Sequence, residues 1–309
     1  MEKFPIEFFC PELNSKEGFC MAKKKNFFTS TPFYILLFVL LFVIIIIVPV
    51  VSILHDSQDD VPILVYHDIV EYSDSHLNLT KDQFYDQMQY LKEENYSVIT
   101  IDQLLEAWQS GTKLPKNPVV ITFDGGYAGV VQNAFPILQE NHFPATIFLA
   151  TDYIGTDPRY LDWSQVAQMD SSGLIQFESN TLNRQPITRL PTKNDQLFYL
   201  TTSKQTIEWK MHTPVNYVAY PLGVYTVDTL QESRNAGYKA AFAIDYGFAK
   251  KGEKSFVYGR VPIFENGSGT FSRFKFRLKY APIVKELKSV RDTFIDGGYD
   301  LLSNLIPVP

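Results

Sequence analysis

Short, predominantly apolar segments recur along the chain, and helical patterns lie between them. These segments are 63–66, 98–101, 119–123, 145–149, 174–177, 217–220 and 240–244. Strands buried on both faces read as continuous apolar runs rather than as alternating ones. The pattern therefore predicts an α/β fold with a parallel sheet covered on both faces, either open or closed into a barrel.

Three segments directly follow predicted strands: DGGY at 124–127, ESNT at 178–181 and PLG at 221–223. In parallel α/β folds, functional side chains gather at the carboxyl ends of the strands, which meet at one end of the sheet. We therefore expect the functional site where these segments meet.

One stretch near the N-terminus departs from this globular pattern. Residues 33–54 include no charged side chain, and these 22 residues would span roughly 33 Å as a helix, enough for a bilayer core. The run is longer than the apolar part of a signal peptide, and no small-residue cleavage site follows it. It predicts a transmembrane anchor at 33–54, preceded by a segment at 1–32 and followed by a linker at 55–60 and one domain at 61–309.

The charges around the predicted anchor indicate its orientation. Three lysines at 23–25 precede it, whereas Asp56, Asp59 and Asp60 follow it. Positive residues remain on the cytoplasmic side of a membrane helix. The N-terminus is then cytoplasmic and the C-terminal domain extracellular, as in a single-pass protein of a bacterial cell membrane.

Charge and cysteine content exclude two classes of function. The net charge of −6 gives no general attraction to phosphate backbones, so we expect no nucleic-acid partner. The only cysteines are Cys10 and Cys20, which excludes a disulfide scaffold or a cysteine zinc site beyond the first twenty residues.

The chain from Val61 to about Phe264 resembles the NodB-homology polysaccharide deacetylases, carbohydrate esterase family four. The likeness is strongest to the branch that de-N-acetylates poly-N-acetylglucosamine. The matching segments are VPILVYHDI at 61–69, TFD at 122–124, FPATIF at 143–148, AYPLG at 219–223 and AGYKAAF at 236–242. The resemblance implies a distorted (β/α) barrel that removes acetyl groups from N-acetylated sugars by using a divalent metal and a water.

The resemblance also implies which residues stand at the family's catalytic positions. In its Thr-Phe-Asp-Asp-Gly-Tyr motif the first Asp is the base and the second a metal ligand; here Asp124 matches the base, and Gly125 replaces the ligand, ahead of Tyr127. In its Ser-His-Thr motif the first metal-binding His is Asn180, and the second is Arg184 or Gln185. Arginine is always charged and does not bind a metal. All three metal ligands are therefore missing, and we expect no cofactor.

The residues leave alternatives for the pocket open. Glu178 and Asn180 are two apart and so share a face of an extended segment; with Asp124 and His67 they would form a rebuilt oxygen-rich site for a zinc-like divalent metal. In the other interpretation, Glu178 pairs with Arg184 and fills the emptied cavity. Asp124 would then remain for fold reasons, such as capping the next helix. Tyr220 and Pro221 complete the predicted pocket.

Two functional hypotheses follow. In the first, the protein is anchored in the membrane, no longer performs metal-dependent hydrolysis, and binds or organises cell-envelope polysaccharide. In the second, it is an active carbohydrate N-deacetylase with an altered metal site. The missing Asp-His-His ligand set favours the first hypothesis.

Overall fold

The computed structural model describes residues 31–42, 60–73, 75–252, 255–264, 267 and 269–297. The chain divides into two units, Met1–Ser52 and Ile53–Pro309. In the first unit the structure describes one helix, α1, at Thr31–Phe42. It covers the start of the predicted anchor, whose remaining residues, 43–54, lie outside the described ranges. Within those ranges, no helix has both the length and the apolar character needed to cross a membrane.

The second unit is built on parallel strands, as predicted. They are β1 Ile63–Tyr66, β2 Ile69–Val70, β3 Leu79–Thr80, β4 Ser97–Val98, β5 Pro118–Gly125, β6 Ala145–Leu149, β7 Ile175–Ser179, β8 Tyr217–Ala219, β9 Ala240–Phe242 and β10 Val261–Pro262. The main sheet has the order β10-β1-β5-β6-β7-β8-β9, with β4 beside β5, and β2 pairs with β3 separately.

The segment after β9 brings the two ends of this strand order together. Tyr258 exchanges backbone hydrogen bonds with Ala241 and Ala243, next to β9. Only three residues later, Val261 and Pro262 pair with Leu64 and Val65 of β1. The strands therefore follow one another around an incomplete barrel, so the predicted parallel α/β fold with barrel character is confirmed.

Helices connect the strands, and five of them begin with a capping box, in which the side chains of the cap and of the third helical residue bond reciprocally to backbone N–H groups. Thr80, Thr100, Asp162, Thr192 and Thr226 are these caps. The helices are α2 Lys81–Glu93, α3 Ile101–Ser110, α4 Phe135–Asn141, α5 Trp163–Asp170, α6 Lys193–Met211, α7 Val227–Asn235 and α8 Thr270–Asp296. The strand predicted at 98–101 ends at Val98 because Thr100 caps α3.

Two apolar clusters pack on the two faces of the sheet. The larger one joins the strands to the helices and contains Leu64, Ile121 and Phe123. The smaller one contains Val120, Phe148 and Phe242 and lies on the inner face. Because side chains alternate along a strand, Thr122 and Asp124 share the face of Val120. Asp124 is therefore directed to the inner face at the carboxyl end of β5.

Candidate functional site

A narrow cleft lies where the carboxyl ends of four strands meet. His67 follows β1, Asp124 ends β5, and Asn180 follows β7. The cleft is lined by His67, Asp124, Asn180, Arg184, Pro221 and Leu222. Its free space holds about one water molecule. Five residues predicted for the pocket therefore come together here, at the end of the sheet where the sequence placed the site.

Asp124 is held by a buried arginine. Both carboxylate oxygens accept hydrogen bonds from the Arg260 guanidinium, Oδ1 from Nη1 and Oδ2 from Nη2, each at 2.7 Å. Arg260 is fully buried and also donates through Nε to the Ala243 carbonyl at 3.2 Å. This bidentate ion pair orients the carboxylate and gives it a counter-ion. Asp124 does not cap the following helical segment, Val130–Ala134, whose N-cap residue is Gly129 and which has no side-chain cap.

His67 is the one histidine in the cleft, and its ring is 6% exposed. Burial lowers the pKa of His67 to about 4; Asp124 opposes this shift, whereas the positive charges of Arg184 and Arg260 add to it. The imidazole is therefore neutral at physiological pH. Its Nδ1 atom is buried and has no hydrogen-bond partner among the described residues.

Asn180 and Arg184 form the side of the cleft that follows β7. The Asn180 side-chain amide donates to the Ala219 carbonyl at 2.8 Å, which fixes its orientation. The half-buried Arg184 guanidinium carbon lies 5.1 Å from the centre of the Tyr127 ring. Thr181 adopts a φ of 64°, which is unusual for a β-branched residue. Such strain is typical of functional sites, where the surrounding structure maintains it.

Pro221 and Leu222 form the opposite wall. Leu222 has a φ of 57° and is 54% exposed, so an apolar side chain stands in solvent at the cleft edge. The turn is completed by Gly223, at a φ of 73°, where a Cβ atom would lie 2.4 Å from the Ile244 amide nitrogen. Only glycine fits this close approach.

The backbone at Gly125 would strain the acidic residue that the family motif has there. Gly125 has a φ of 103°, and a Cβ atom would lie 2.9 Å from Cε2 of Tyr127. The Tyr127 ring is also stacked on Tyr160, at 4.7 Å between ring centres. Where the family motif has an acidic side chain, this chain therefore has a glycine with a positive φ, and the Tyr127 ring lies in the space that the side chain would need.

Four of the predicted residues lie outside the cleft lining. Tyr127 packs beneath Arg184, and Tyr220 is buried with its hydroxyl 3.2 Å from both Ser233 Oγ and the Phe256 carbonyl. Gln185 is exposed on the loop after β7.

Glu178 is the fourth predicted residue that lies outside the cleft lining. Its side chain is fully buried and is directed towards β8. Its Oε2 accepts the backbone N–H groups of Asn216 and Tyr217 at 2.9 and 2.7 Å, and its Oε1 accepts from the Gln176 side chain at 2.9 Å. The predicted Glu178–Arg184 pair is wrong, because the backbone amides at the start of β8 satisfy the carboxylate instead. Burial raises the pKa of Glu178 to about 8, although the two amides lower it.

The residues of the cleft do not fit a divalent metal ion. A catalytic zinc site takes about three protein ligands. Asp124 is engaged by Arg260, and Arg184 brings a second positive charge. In the part of the chain that the structure describes, no three His, Cys, Asp or Glu side chains are close enough together to hold a metal.

The sequence did not predict the role of Arg260, whose guanidinium binds both carboxylate oxygens of Asp124. A signal was present: Arg260 is the only charged residue between Phe256 and Phe264, in an otherwise mostly apolar segment. A charged residue in such a segment is either exposed or buried with a partner. The partner itself, 136 residues away in sequence, is visible only once the strand order is known.

Comparisons with known proteins agree with this geometry. Residues 111–241 match the family model for polysaccharide deacetylases, a region that runs from before β5 to β9. The Bacillus subtilis protein YxkH is 29% identical over 210 residues, which cover 68% of this chain and 74% of that protein. The poly-beta-1,6-N-acetyl-D-glucosamine N-deacetylase of Staphylococcus epidermidis is 28% identical over 186 residues, which cover 55% of this chain and 61% of that enzyme.

A solved structure supports the fold. The deacetylase PplD of Streptococcus pyogenes superposes with a TM-score of 0.64 at 24% sequence identity, covering 69% of this chain and 96% of that chain. At this identity the likeness concerns the arrangement of strands and helices. The parallel half-barrel described above is therefore the fold of a known deacetylase.

Proposed function

The chain belongs to the polysaccharide deacetylase family, and from this premise we propose that it binds cell-envelope polysaccharide without performing metal-dependent deacetylation. The observation that carries the proposal is the composition of the cleft: Arg260 holds the Asp124 carboxylate through two 2.7 Å hydrogen bonds, and among the described residues no three His, Cys, Asp or Glu side chains lie close enough together to hold a metal ion. A general base must be able to accept the proton of an attacking water. A carboxylate held by a guanidinium keeps lone pairs that accept this proton, but without a metal ion beside it the water is not activated.

The missing ligands support the same conclusion. Metal-dependent hydrolysis needs a bound ion to lower the pKa of the attacking water. Gly125, Asn180 and either Arg184 or Gln185 occupy the positions where the family's motifs carry ligands, and none of them supplies an anionic or imidazole ligand. The remaining space, about one water, is also too small for the acetamide group of an N-acetylated sugar.

The class of glycan is proposed from the relatives. The staphylococcal relative is named for poly-beta-1,6-N-acetyl-D-glucosamine, a polysaccharide. We infer that this protein contacts a related envelope polysaccharide at the rim of the cleft. The exposed Leu222, 54% accessible, and the neighbouring Tyr225, 42% accessible, offer apolar surface for the faces of sugar rings.

The proposed location is the bacterial cell membrane, with the N-terminus inside. The uncharged run 33–54 and the lysines at 23–25 support it, as do the exposed apolar side chains of α1, such as Phe38 at 71%. Protease added to intact, wall-stripped cells should digest the domain from residue 61 onward. Protection of that domain until the membrane is permeabilised would contradict this location.

The catalytic part of the proposal is tested by metal content and acetate release. The purified full chain, dialysed against buffer, should hold well below one equivalent of zinc or another divalent ion. It should release no acetate from N-acetylglucosamine oligomers, while a staphylococcal poly-beta-1,6-N-acetyl-D-glucosamine N-deacetylase in the same assay does. One tightly held metal ion per chain, together with acetate release that chelation abolishes, would establish the alternative of an active deacetylase with a rebuilt site.

A further inference from the structure

The cleft carries an excess of positive charge. The charged groups that act on His67 are Asp124, Arg184 and Arg260, which is one negative and two positive side chains. Arg260 is engaged by Asp124 and by two other buried partners, Thr122 and the Ala243 carbonyl. Among the described residues, Arg184 forms no ion pair, and its guanidinium lies over the face of the Tyr127 ring. The guanidinium edge of Arg184 is therefore the available charged donor of the cleft.

A second feature, independent of this charge, also indicates a ligand. His67 is 94% buried, and its Nδ1 atom has no partner among the described residues although the side chain lines the cleft. A buried polar atom without a hydrogen bond costs free energy, so native structures rarely leave one unexplained. A neutral imidazole carries one N–H, on either ring nitrogen, and His67 lines the cleft, so the ring can donate this bond to a group that enters there.

We propose that the cleft binds a carboxylate group carried by a sugar unit of the envelope polysaccharide. The inference rests on the proposed function, since it names the chemical class that the same site recognises. One carboxylate oxygen occupies the water-sized space and accepts a hydrogen bond from His67. The other oxygen stays at the mouth, where the Arg184 guanidinium binds it.

Shape and charge favour a carboxylate over the other groups found on glycans. A planar carboxylate matches the planar guanidinium fork and forms short charge-assisted hydrogen bonds with it. An acetamide is neutral, so its oxygen would accept from the Arg184 guanidinium without the charge assistance that an anion has. A phosphate is tetrahedral and larger, and it would bring more negative charge beside Asp124 than the one unpaired guanidinium balances.

The sugars D-glucuronate and D-glucose provide a matched pair of probes, because they differ only in the carboxylate at C6. We would titrate each into the purified full chain in mild detergent and follow binding by calorimetry and by the NMR signals of the His67 ring. Glucuronate should bind and shift the His67 signals, and glucose should do neither at the same concentrations. Binding should weaken as salt is raised, because the attraction is between charges.

Variants of two arginines on the same loop region separate recognition from folding. Arg184→Gln should weaken glucuronate binding by about tenfold or more, since it removes a charge-assisted hydrogen bond. Arg184→Lys should lose part of the affinity, because it keeps the charge but not the fork. Arg189→Gln changes an exposed arginine five residues away and should leave binding unchanged. Thermal unfolding of each variant verifies that it is folded.

Three outcomes would overturn the carboxylate assignment. They are equal binding of glucose and glucuronate, equal loss of glucuronate binding in Arg184→Gln and Arg189→Gln, and tighter binding of inorganic phosphate that depends on Arg184. If glucuronate failed to bind while N-acetylglucosamine oligomers bound without acetate release, only this inference would fall. Acetate release would instead refute the proposed function.

Discussion

Two buried carboxylates lie two strands apart on the inner face, and the protein stabilises them in different ways. The strand register places Asp124 of β5 beside Phe148 of β6, and Phe148 beside Glu178 of β7. Asp124 is paired with the cation Arg260, whereas Glu178 accepts hydrogen bonds from two backbone amides and the Gln176 side chain. The Phe148 ring, 5.3 Å from the Arg260 guanidinium carbon, separates the two groups.

The difference between the two sites shows which surroundings stabilise a buried carboxylate in its charged form. Glu178 shares the Gln176 side chain with a second carboxylate, Asp102, whose charge adds to the rise of the Glu178 pKa. Neutral donors do not fully replace water around a buried anion, and burial therefore raises the pKa of Glu178 to about 8. Asp124 has a fixed counter-ion instead. Removing that counter-ion should therefore be much more harmful than neutralising Glu178.

The largest expected effect is that of Arg260→Met. It would leave the Asp124 carboxylate buried without a cation, which lowers the free energy of unfolding by about 3–5 kcal/mol. Urea denaturation measures the loss, and Arg189→Met, at an exposed arginine, should stay within about 0.5 kcal/mol of the wild type. The double variant Arg260→Met with Asp124→Leu should recover much of the stability, because no buried charge remains. A single variant that lost under about 1 kcal/mol would show that the ion pair is not the main stabilising feature of the cleft.

The next effect concerns Glu178 and pH. Its folded-state pKa of about 8 lies above the ordinary value of 4.5, so between these values the folded chain binds more protons than the unfolded chain. The contribution of this group to stability is therefore complete below about pH 4.5 and is lost as the pH rises to about 8, by on the order of 2–4 kcal/mol. Glu178→Gln should remove this slope, and the exposed Glu140→Gln should keep it.

Subtracting the variant's profile from that of the wild type isolates Glu178. This matters because His67 acts in the opposite direction: its pKa of about 4 lies below the ordinary 6.5, so its contribution is lost as the pH falls through that range. His67 is present in both proteins and cancels. A difference profile that was flat between pH 4.5 and 8 would contradict the raised pKa of Glu178.

The sequence predicted the sheet and the position of the site more fully than the contacts within it. The apolar strands and the polar residues after them depend on local patterns, so β5, β7 and β8 were predicted together with the end at which Asp124 and Asn180 meet. The pairing of Asp124 with Arg260 depends on strands 136 residues apart, β5 and β10, lying on either side of β1.

Glu178 shows the same limit at short range. Its alternation with Asn180 predicted a shared face, yet the side chain is satisfied by Asn216 and Tyr217, whose amides are exposed at the start of β8. Spacing along one strand cannot reveal which free backbone groups the neighbouring strand offers. The motif alone showed that Gly125 replaces the acidic residue. It did not predict the positive φ of Gly125 or the Tyr127 ring that lies next to its Cβ position.

A smaller effect is expected from restoring the acidic residue of the family motif. Gly125→Asp would place a side chain at a φ of 103° with its Cβ atom 2.9 Å from the Tyr127 ring, and we expect a loss of about 1–3 kcal/mol. Gly173→Asp is the matched control, because Gly173 also has a positive φ, of 70°, but no atom lies within 4 Å of its Cβ position. Equal losses in the two variants would mean that the backbone alone, and not the Tyr127 ring, excludes the acidic side chain.

The smallest expected effect on stability is that of Arg184→Gln, in contrast to the other arginine of the cleft. Arg184 is half-buried and contacts the Tyr127 ring at 5.1 Å, a cation–π contact that contributes about 0.5–1 kcal/mol at such sites. A double-mutant cycle with Tyr127→Leu measures this coupling free energy. The single variant Tyr127→Leu measures the stability lost with the ring's own packing, which the cycle subtracts. If the coupling exceeded about 2 kcal/mol, Arg184 would be part of the framework as Arg260 is. A small value means that Arg260 maintains the folded cleft while Arg184 keeps its charge available, so that lost anion binding in Arg184→Gln reports on recognition and not on unfolding.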